Sequence, residues 1–213
     1  MKVDRLNEPD KDPVRPYDSP RRRAQAEATR AEIAAAARRL FAARGWAGTR
    51  VRDVAKEAGV AEPTVYAAYG NKLGLARAVI ADVEASAAGP SSPEDLVRAR
   101  PDPVEQLGEL VAFDRRLYEH GGDVLVLMRD TGPAEPELHA AYREGRARGD
   151  AFRRAVVSHW PPDAFAEDID TALDTYAALC TVDVYRVMTE ERGRPPEDVE
   201  RWWHRSLVRL LLR

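Results

Sequence analysis

Only three residues, Gly59, Val60 and Ala61, separate two short apolar stripes that run from Val51 to Tyr69. In the first stripe Val51, Val54, Ala55 and Ala58 recur at three, four and seven positions, the spacing of one helix face. Thr49 stands where an N-cap is expected and Gly59 where the helix stops. The second stretch begins near Glu62 and Pro63 and carries Thr64, Val65 and Tyr66 towards Tyr69. Proline fits a first turn, where its missing N–H has no intrahelical partner in any case. Two helices this short across a glycine turn predict a helix-turn-helix. Upstream, Ile33, Ala37, Leu40 and Phe41 mark a helix over 29–44 that Gly45 ends. Downstream, a helix from Lys72 carries Leu75, Val79, Ile80 and Val83 inward until Gly89 and Pro90.

The rest of the chain shows no strand-like alternation and no repeat. Caps and turn residues such as Ser92-Pro93, Asp102-Pro103 with Glu105, and Pro136-Glu137 announce further helices. These are expected near 93–99, 103–119, 123–130, 137–159, 167–191 and 197–212. Ala, Leu, Glu and Arg outweigh Val, Ile and Thr, so the predicted class is all-α. Residues 1–20, with Pro9, Pro13, Pro16 and Pro20 among alternating charges, read as a disordered arm. Residues 21–80 read as a helix-turn-helix unit with its linking helix, and 81–213 as a larger helical domain.

Charge separates these parts. Residues 21–80 hold 12 Lys and Arg against 5 Asp and Glu, a balance of +7, although the whole chain carries −3. The basic unit suits a polyanion and the larger unit is acidic. Cys180 is the only cysteine, which leaves no intramolecular disulfide and no cysteine-based metal cluster. No run has the length of an apolar membrane span, and the first twenty residues lack the apolar core of a signal peptide. The expected setting is the cytoplasm, with no membrane partner. His120, His139, His159 and His204 are scattered, and the acid pairs Asp168/Asp170 and Glu190/Glu191 have no metal-ligand company. No nucleophile elbow or phosphate loop occurs. No enzyme, metal site or cofactor is expected.

The run Leu40, Phe41, Gly45, Thr49, Val51, Asp53, Val54, Ala55, Ala58, Gly59, Val60, Thr64, Val65, Tyr66, Tyr69, Lys72, Leu75 resembles, without a gap, the DNA-binding domain of the tetracycline-repressor (TetR) family of bacterial transcriptional regulators. The resemblance is sharp over residues 29–76. It implies a three-helix DNA-binding domain followed by a helical ligand-binding and dimerisation domain. Thr49, Thr64, Tyr66 and Lys72 are the contacts it implies with an operator in double-stranded DNA. Thr49 and Lys72 mark helix starts, where free N–H groups and the dipole favour phosphate. Arg50 and Arg52 flank the start of the second helix, as further phosphate or guanine contacts or as solvated side chains. Ala61 and Ala68 depart from the serine and histidine common in the family. Glu62 favours the helix dipole but repels phosphate, which leaves it a cytosine reader or a repulsive element. Arg21, Arg22 and Arg23 read as a phosphate-following arm or as a solubilising run.

Two stretches near the C-terminus carry more apolar surface than one packing face needs. From Ile169 to Glu191 the stripe includes Leu173, Tyr176, Leu179, Cys180, Val184, Val187 and Met188, and the last helix adds Trp202, Trp203, Leu207, Leu210, Leu211 and Leu212. The resemblance implies that these helices form the homodimer seam, with Tyr176, Cys180, Val184, Trp203, Leu207 and Leu210 in it. A cavity for an unknown small-molecule effector is expected to be lined by Phe113, Leu117, Met128, Tyr142 and Tyr176. Gly145 and Gly149 bare one side of their helix, for close packing or for a ligand. The implied function is a repressor that leaves a palindromic operator when a small apolar molecule binds. The alternative is an architectural or weakly specific DNA-binding protein whose C-terminal domain only dimerises.

Overall fold

The computed structural model describes residues 20–131 and 135–213. Among these described residues ten α-helices follow one another: α1 (Pro20–Gly48), α2 (Val51–Glu57), α3 (Glu62–Tyr69), α4 (Lys72–Ser86), α5 (Pro93–Ala99), α6 (Pro103–Asp130), α7 (Pro136–Val157), α8 (Ile169–Leu179), α9 (Val182–Arg186) and α10 (Pro196–Leu211). A 3₁₀ turn precedes α8 and a π turn (Val187–Glu191) follows α9. Among the described residues the only β pairing is a single bridge between Phe165 and Leu212. The all-α class and the helix-turn-helix at α2–α3 are as expected.

Two buried clusters organise the helices. The first gathers Ile33, Ala37, Leu40, Phe41 and Trp46 of α1 with Val54, Ala55, Val65, Leu75 and Val79, and takes in Val124, Met128 and Leu138 from α6 and α7. The second is built from Leu107, Val111, Tyr118, Val156, Trp160, Tyr176, Tyr185, Val199, Trp203 and Leu207. α6 contributes to both, and α4 runs from the first cluster across the expected boundary at residue 80 to pack on it.

Several expectations change. The first helix begins at Pro20 rather than near residue 29, so Arg21, Arg22 and Arg23 lie in its first turn and do not form an extended arm. The rest of the expected arm, residues 1–19, lies outside the described residues. Gly45 does interrupt α1, with φ 67° and ψ −179°, a conformation that needs no Cβ, although helical hydrogen bonding resumes to Gly48.

α6 is one helix through Gly121 and Gly122, not two. A Cβ on Gly121 would stand 2.0 Å from Cγ1 of Val83, so this glycine serves the close crossing of α4 over α6. The expected helix over 167–191 breaks at Cys180, where φ −92° and ψ 72° leave the helical region. The Thr181 hydroxyl then accepts from the Val184 N–H at 3.2 Å, capping α9, and the buried Tyr118 hydroxyl donates to the Cys180 carbonyl at 2.9 Å.

Candidate nucleic-acid interface and ligand cavity

The α2–α3 corner is set by short-range bonds. The Val60 N–H donates to the Ala55 carbonyl at 2.9 Å, and Gly59 takes the positive φ of 67° that reverses the chain. Val54, Ala55 and Val65 are buried beneath it, which turns the other side of α3 outward. Thr64 is exposed and Tyr66 keeps 46% of its surface accessible, high for a large aromatic side chain. Glu62, Ala61, Arg50 and Arg52 are exposed beside them. Arg52 lies 3.8 Å from Asp53, a spacing that leaves its guanidinium largely solvated.

Thr49 and Lys72 stand differently from expectation. Thr49 is 1% exposed, and its hydroxyl lies 3.1 Å from the Leu40 carbonyl and 2.8 Å from that of Gly45. Its N–H donates to Trp46, so no donor of Thr49 is left for phosphate. Arg50, without a side-chain cap, is the N-cap of α2. The physical reason is the bend at Gly45, which frees carbonyls of α1 that the Thr49 hydroxyl answers. Lys72 is half-buried: its ammonium donates to the Trp46 carbonyl at 2.5 Å and sits 4.1 Å from the Trp46 ring centre. Burial lowers its pKa, against the attraction of Glu135. Two of its three donors stay available. Asn71 caps α4 by accepting from the Gly74 N–H at 2.7 Å.

A cavity of about 430 Å³ lies between α4, α6, α7 and the α8–α9 junction, within the size range of small-molecule sites. Phe113, Leu117, Met128 and Tyr142 line it, as do Leu125 and Phe152. Gly145 and Gly149 border it too, and a Cβ on Gly149 would stand 2.9 Å from Arg153 Nη1, so this glycine makes room for that guanidinium. Tyr176 is not in the wall. It is buried behind it and donates to Asp114 Oδ2 at 2.9 Å.

Asp114 and Arg153, which the sequence did not single out, form an ion pair in the cavity wall. Asp114 is fully buried and receives Arg153 Nη2 at 2.6 and 2.8 Å. The Arg153 guanidinium also lies 4.8 Å from the Tyr176 ring centre. Burial pushes the Asp114 carboxyl upward while Arg153, the Tyr176 hydroxyl and the charge of Arg146 pull it back. Burial likewise raises the Tyr118, Tyr176 and Cys180 groups, which keeps all three neutral. Only the 39-residue separation hid the pair, since no local pattern marks it.

The residues expected in a dimer seam are mostly interior. Tyr176, Cys180, Trp203 and Leu207 are all 3% exposed or less within one chain, and the Trp203 ring packs on Tyr118 and Tyr185 at 6.1 and 6.2 Å. One chain's own core buries these four side chains. Val184 is half-buried and Leu210 is 54% exposed. Among the described residues no group of three or more His, Cys, Asp and Glu is placed to hold a metal ion, and no helix is long and apolar enough to cross a membrane.

Residues 33–79 match the family model described as bacterial regulatory proteins, tetR family. A search of curated proteins finds no match. Among solved structures, the chain is similar to NalD, the secondary repressor of the MexAB-OprM multidrug efflux pump in Pseudomonas aeruginosa. That likeness has 21% identity and a TM-score of 0.68 over 89% of this chain and 98% of that one. It is similar to PfmR, a TetR family transcriptional regulator from Thermus thermophilus, at 22% identity and TM-score 0.61 over 86% and 96%. A TetR-family regulator from Mesorhizobium loti gives 18% identity and TM-score 0.59 over 89% and 99%.

Proposed function

We propose, from the premise that the N-terminal unit is a TetR-family DNA-binding domain, that the chain is a homodimeric transcriptional repressor whose hold on a palindromic operator is released by a small molecule in the cavity. The observation that carries this reading is the sharing of helices between the two places. α4 begins beside the helix-turn-helix and lines the cavity with Ile80, Val83 and Glu84. Val124 and Met128 of α6 line the cavity and also pack in the N-terminal cluster. Arg38 of α1 donates to the His120 carbonyl and, at 3.2 Å, to Asp123 of α6. A ligand that favours one setting of α4 against α6 therefore also favours one setting of α3, and operator affinity falls by that difference in binding free energy.

Thr64 and Tyr66 on α3, with Arg50 and Arg52 at the start of α2, form the DNA face. Lys72 joins it if its ammonium leaves the Trp46 carbonyl for a phosphate, while Thr49 acts as a brace and not as a contact. A single helix-turn-helix makes few contacts, and two related by a two-fold axis read two half-sites. Leu210 and Val187, exposed near the C-terminal helices, with half-buried Val184 and Trp202, are among the apolar side chains left for the second copy.

Footprinting of the purified protein on the DNA flanking its own coding region, at about 0.15 M salt, tests the reading. A protected palindrome is the expected result. Diffuse protection lost to competitor DNA overturns it in favour of an architectural, backbone-driven binder, the reading that the apolar Ala61 and Ala68 support. Leu210→Glu is expected to shift the sedimenting species from dimer to monomer with the helix content unchanged. An intact dimer moves the seam elsewhere.

A further inference from the structure

We infer that the cavity is built for an amphipathic anion, a molecule with an apolar body and one carboxylate-like head, and that Arg146 is the residue that receives the head. This rests on the ligand-responsive reading and assigns its ligand a chemical class. Four guanidiniums and three carboxylates line the cavity: Arg129, Arg146, Arg148 and Arg153 against Glu84, Asp114 and Asp183. The three acids are all matched. Arg148 pairs with Glu84 at 3.1 Å, Arg129 with Asp183, and Arg153 with Asp114. The exposed Asp130 and Asp150 join the Arg129 and Arg153 pairs from outside the cavity wall.

Arg146 is the cation left over. It is half-buried in α7, lines the cavity, and makes no hydrogen bond or ion pair among the described residues. Its charge favours the ionised form of Asp114, which lines the same cavity. Asp114 itself does not offer a cation site. Its oxygens already accept two bonds from Arg153 and one from Tyr176, and a cationic ligand would meet the guanidiniums around them.

The space beside Arg146 fits the same assignment. Tyr142, four positions before it on α7, and Gly149, three positions on, border the cavity too, and Gly149 leaves room for the Arg153 guanidinium, whose Nη1 lies 2.9 Å from where a Cβ of that glycine would stand. Phe113, Leu117, Leu125 and Phe152 supply an apolar bed for the body. A guanidinium in such a place is a bidentate receptor for a planar oxyanion, and the low-dielectric walls strengthen the pairing.

The test is titration calorimetry of the full chain with three probes of equal length, dodecanoate, dodecan-1-ol and dodecylammonium, below their micellar range. Dodecanoate is expected to bind at least tenfold more tightly than the alcohol, and the ammonium more weakly than both. Arg146→Gln is expected to weaken dodecanoate on the order of ten- to hundredfold and to leave dodecan-1-ol unchanged, with Arg146→Lys recovering part of the loss. The unchanged alcohol affinity also shows that the variant is folded. An ammonium or alcohol that equals dodecanoate overturns the anionic class, and if it also strips the footprint the ligand-responsive reading still stands. Undiminished dodecanoate binding by Arg146→Gln overturns the role of Arg146. If none of the three binds, the inference falls, while the regulator reading is still judged on whether the footprint is a palindrome.

Discussion

The proposed DNA face and the cavity place their polar groups in different ways. The face takes its residues from one continuous stretch between Arg50 and Lys72, each set by the helix or turn it sits on. The cavity gathers residues from Ile80 to Asp183 and holds its one fully buried charge, Asp114, by partners far away in the chain. Charges on the face are mostly solvated, and exposed ion pairs such as Arg39–Glu57 add little. The buried Asp114 carboxylate has no exposed surface through which solvent could replace a lost partner. Removing a partner should therefore be felt as instability in the cavity and as altered binding on the face.

The hardest blow to this contrast is Arg153→Met, which leaves the Asp114 carboxylate buried without its cation and is expected to lose about 3 to 5 kcal/mol of stability in urea unfolding. Arg148→Met, which breaks the half-exposed pair with Glu84, is expected to lose under about 1 kcal/mol. Equal losses would erase the distinction. Next in size is Leu207→Ala, expected to lose about 2 to 5 kcal/mol, since Leu207 is fully buried inside one chain. A stable Leu207→Ala protein that falls apart into monomers would put this face back in the seam.

On the DNA side, Asn71→Ala removes the α4 cap and is expected to lose about 1 kcal/mol, seen as a small fall in the urea midpoint. Smallest in stability are Tyr66→Phe and Lys72→Ala, read by operator binding. The first should weaken binding roughly three- to tenfold on every sequence at unchanged stability, because the exposed hydroxyl has nothing to hold within the chain. For Lys72→Ala the log–log salt slope should shallow by about 0.9 if the ammonium reaches phosphate. An unchanged slope would confine Lys72 to Trp46.

Much of the fold was legible because helical periodicity is a local signal. The stripe at Val51, Val54, Ala55 and Ala58, the turn at Gly59 and the helix over 93–99 are found where their spacing put them. Periodicity failed where apolar residues continue across a break. The stripe through Tyr176, Cys180 and Val184 gave no sign of the cap at Thr181, and Gly121-Gly122 resembled a helix end although it is a helix crossing. Phe113, Leu117, Met128 and Tyr142 were within reach as large side chains on inward faces, and the structure places each in the cavity wall. Asp114 and Arg153 were not, since pairing between helices leaves no mark at either position.

By itself the sequence determined the helices, the tight corner between α2 and α3, and the excess of positive charge around it, because capping, spacing and composition act over a few residues. The tertiary structure alone decided that the Thr49 hydroxyl faces α1, that Trp203 and Leu207 are buried within one chain, and that Arg146, without a partner among the described residues, lines the same cavity as the matched pair of Asp114 and Arg153. An apolar face or a charged side chain can be satisfied by many partners, and which one it meets depends on how helices distant in the chain pack together.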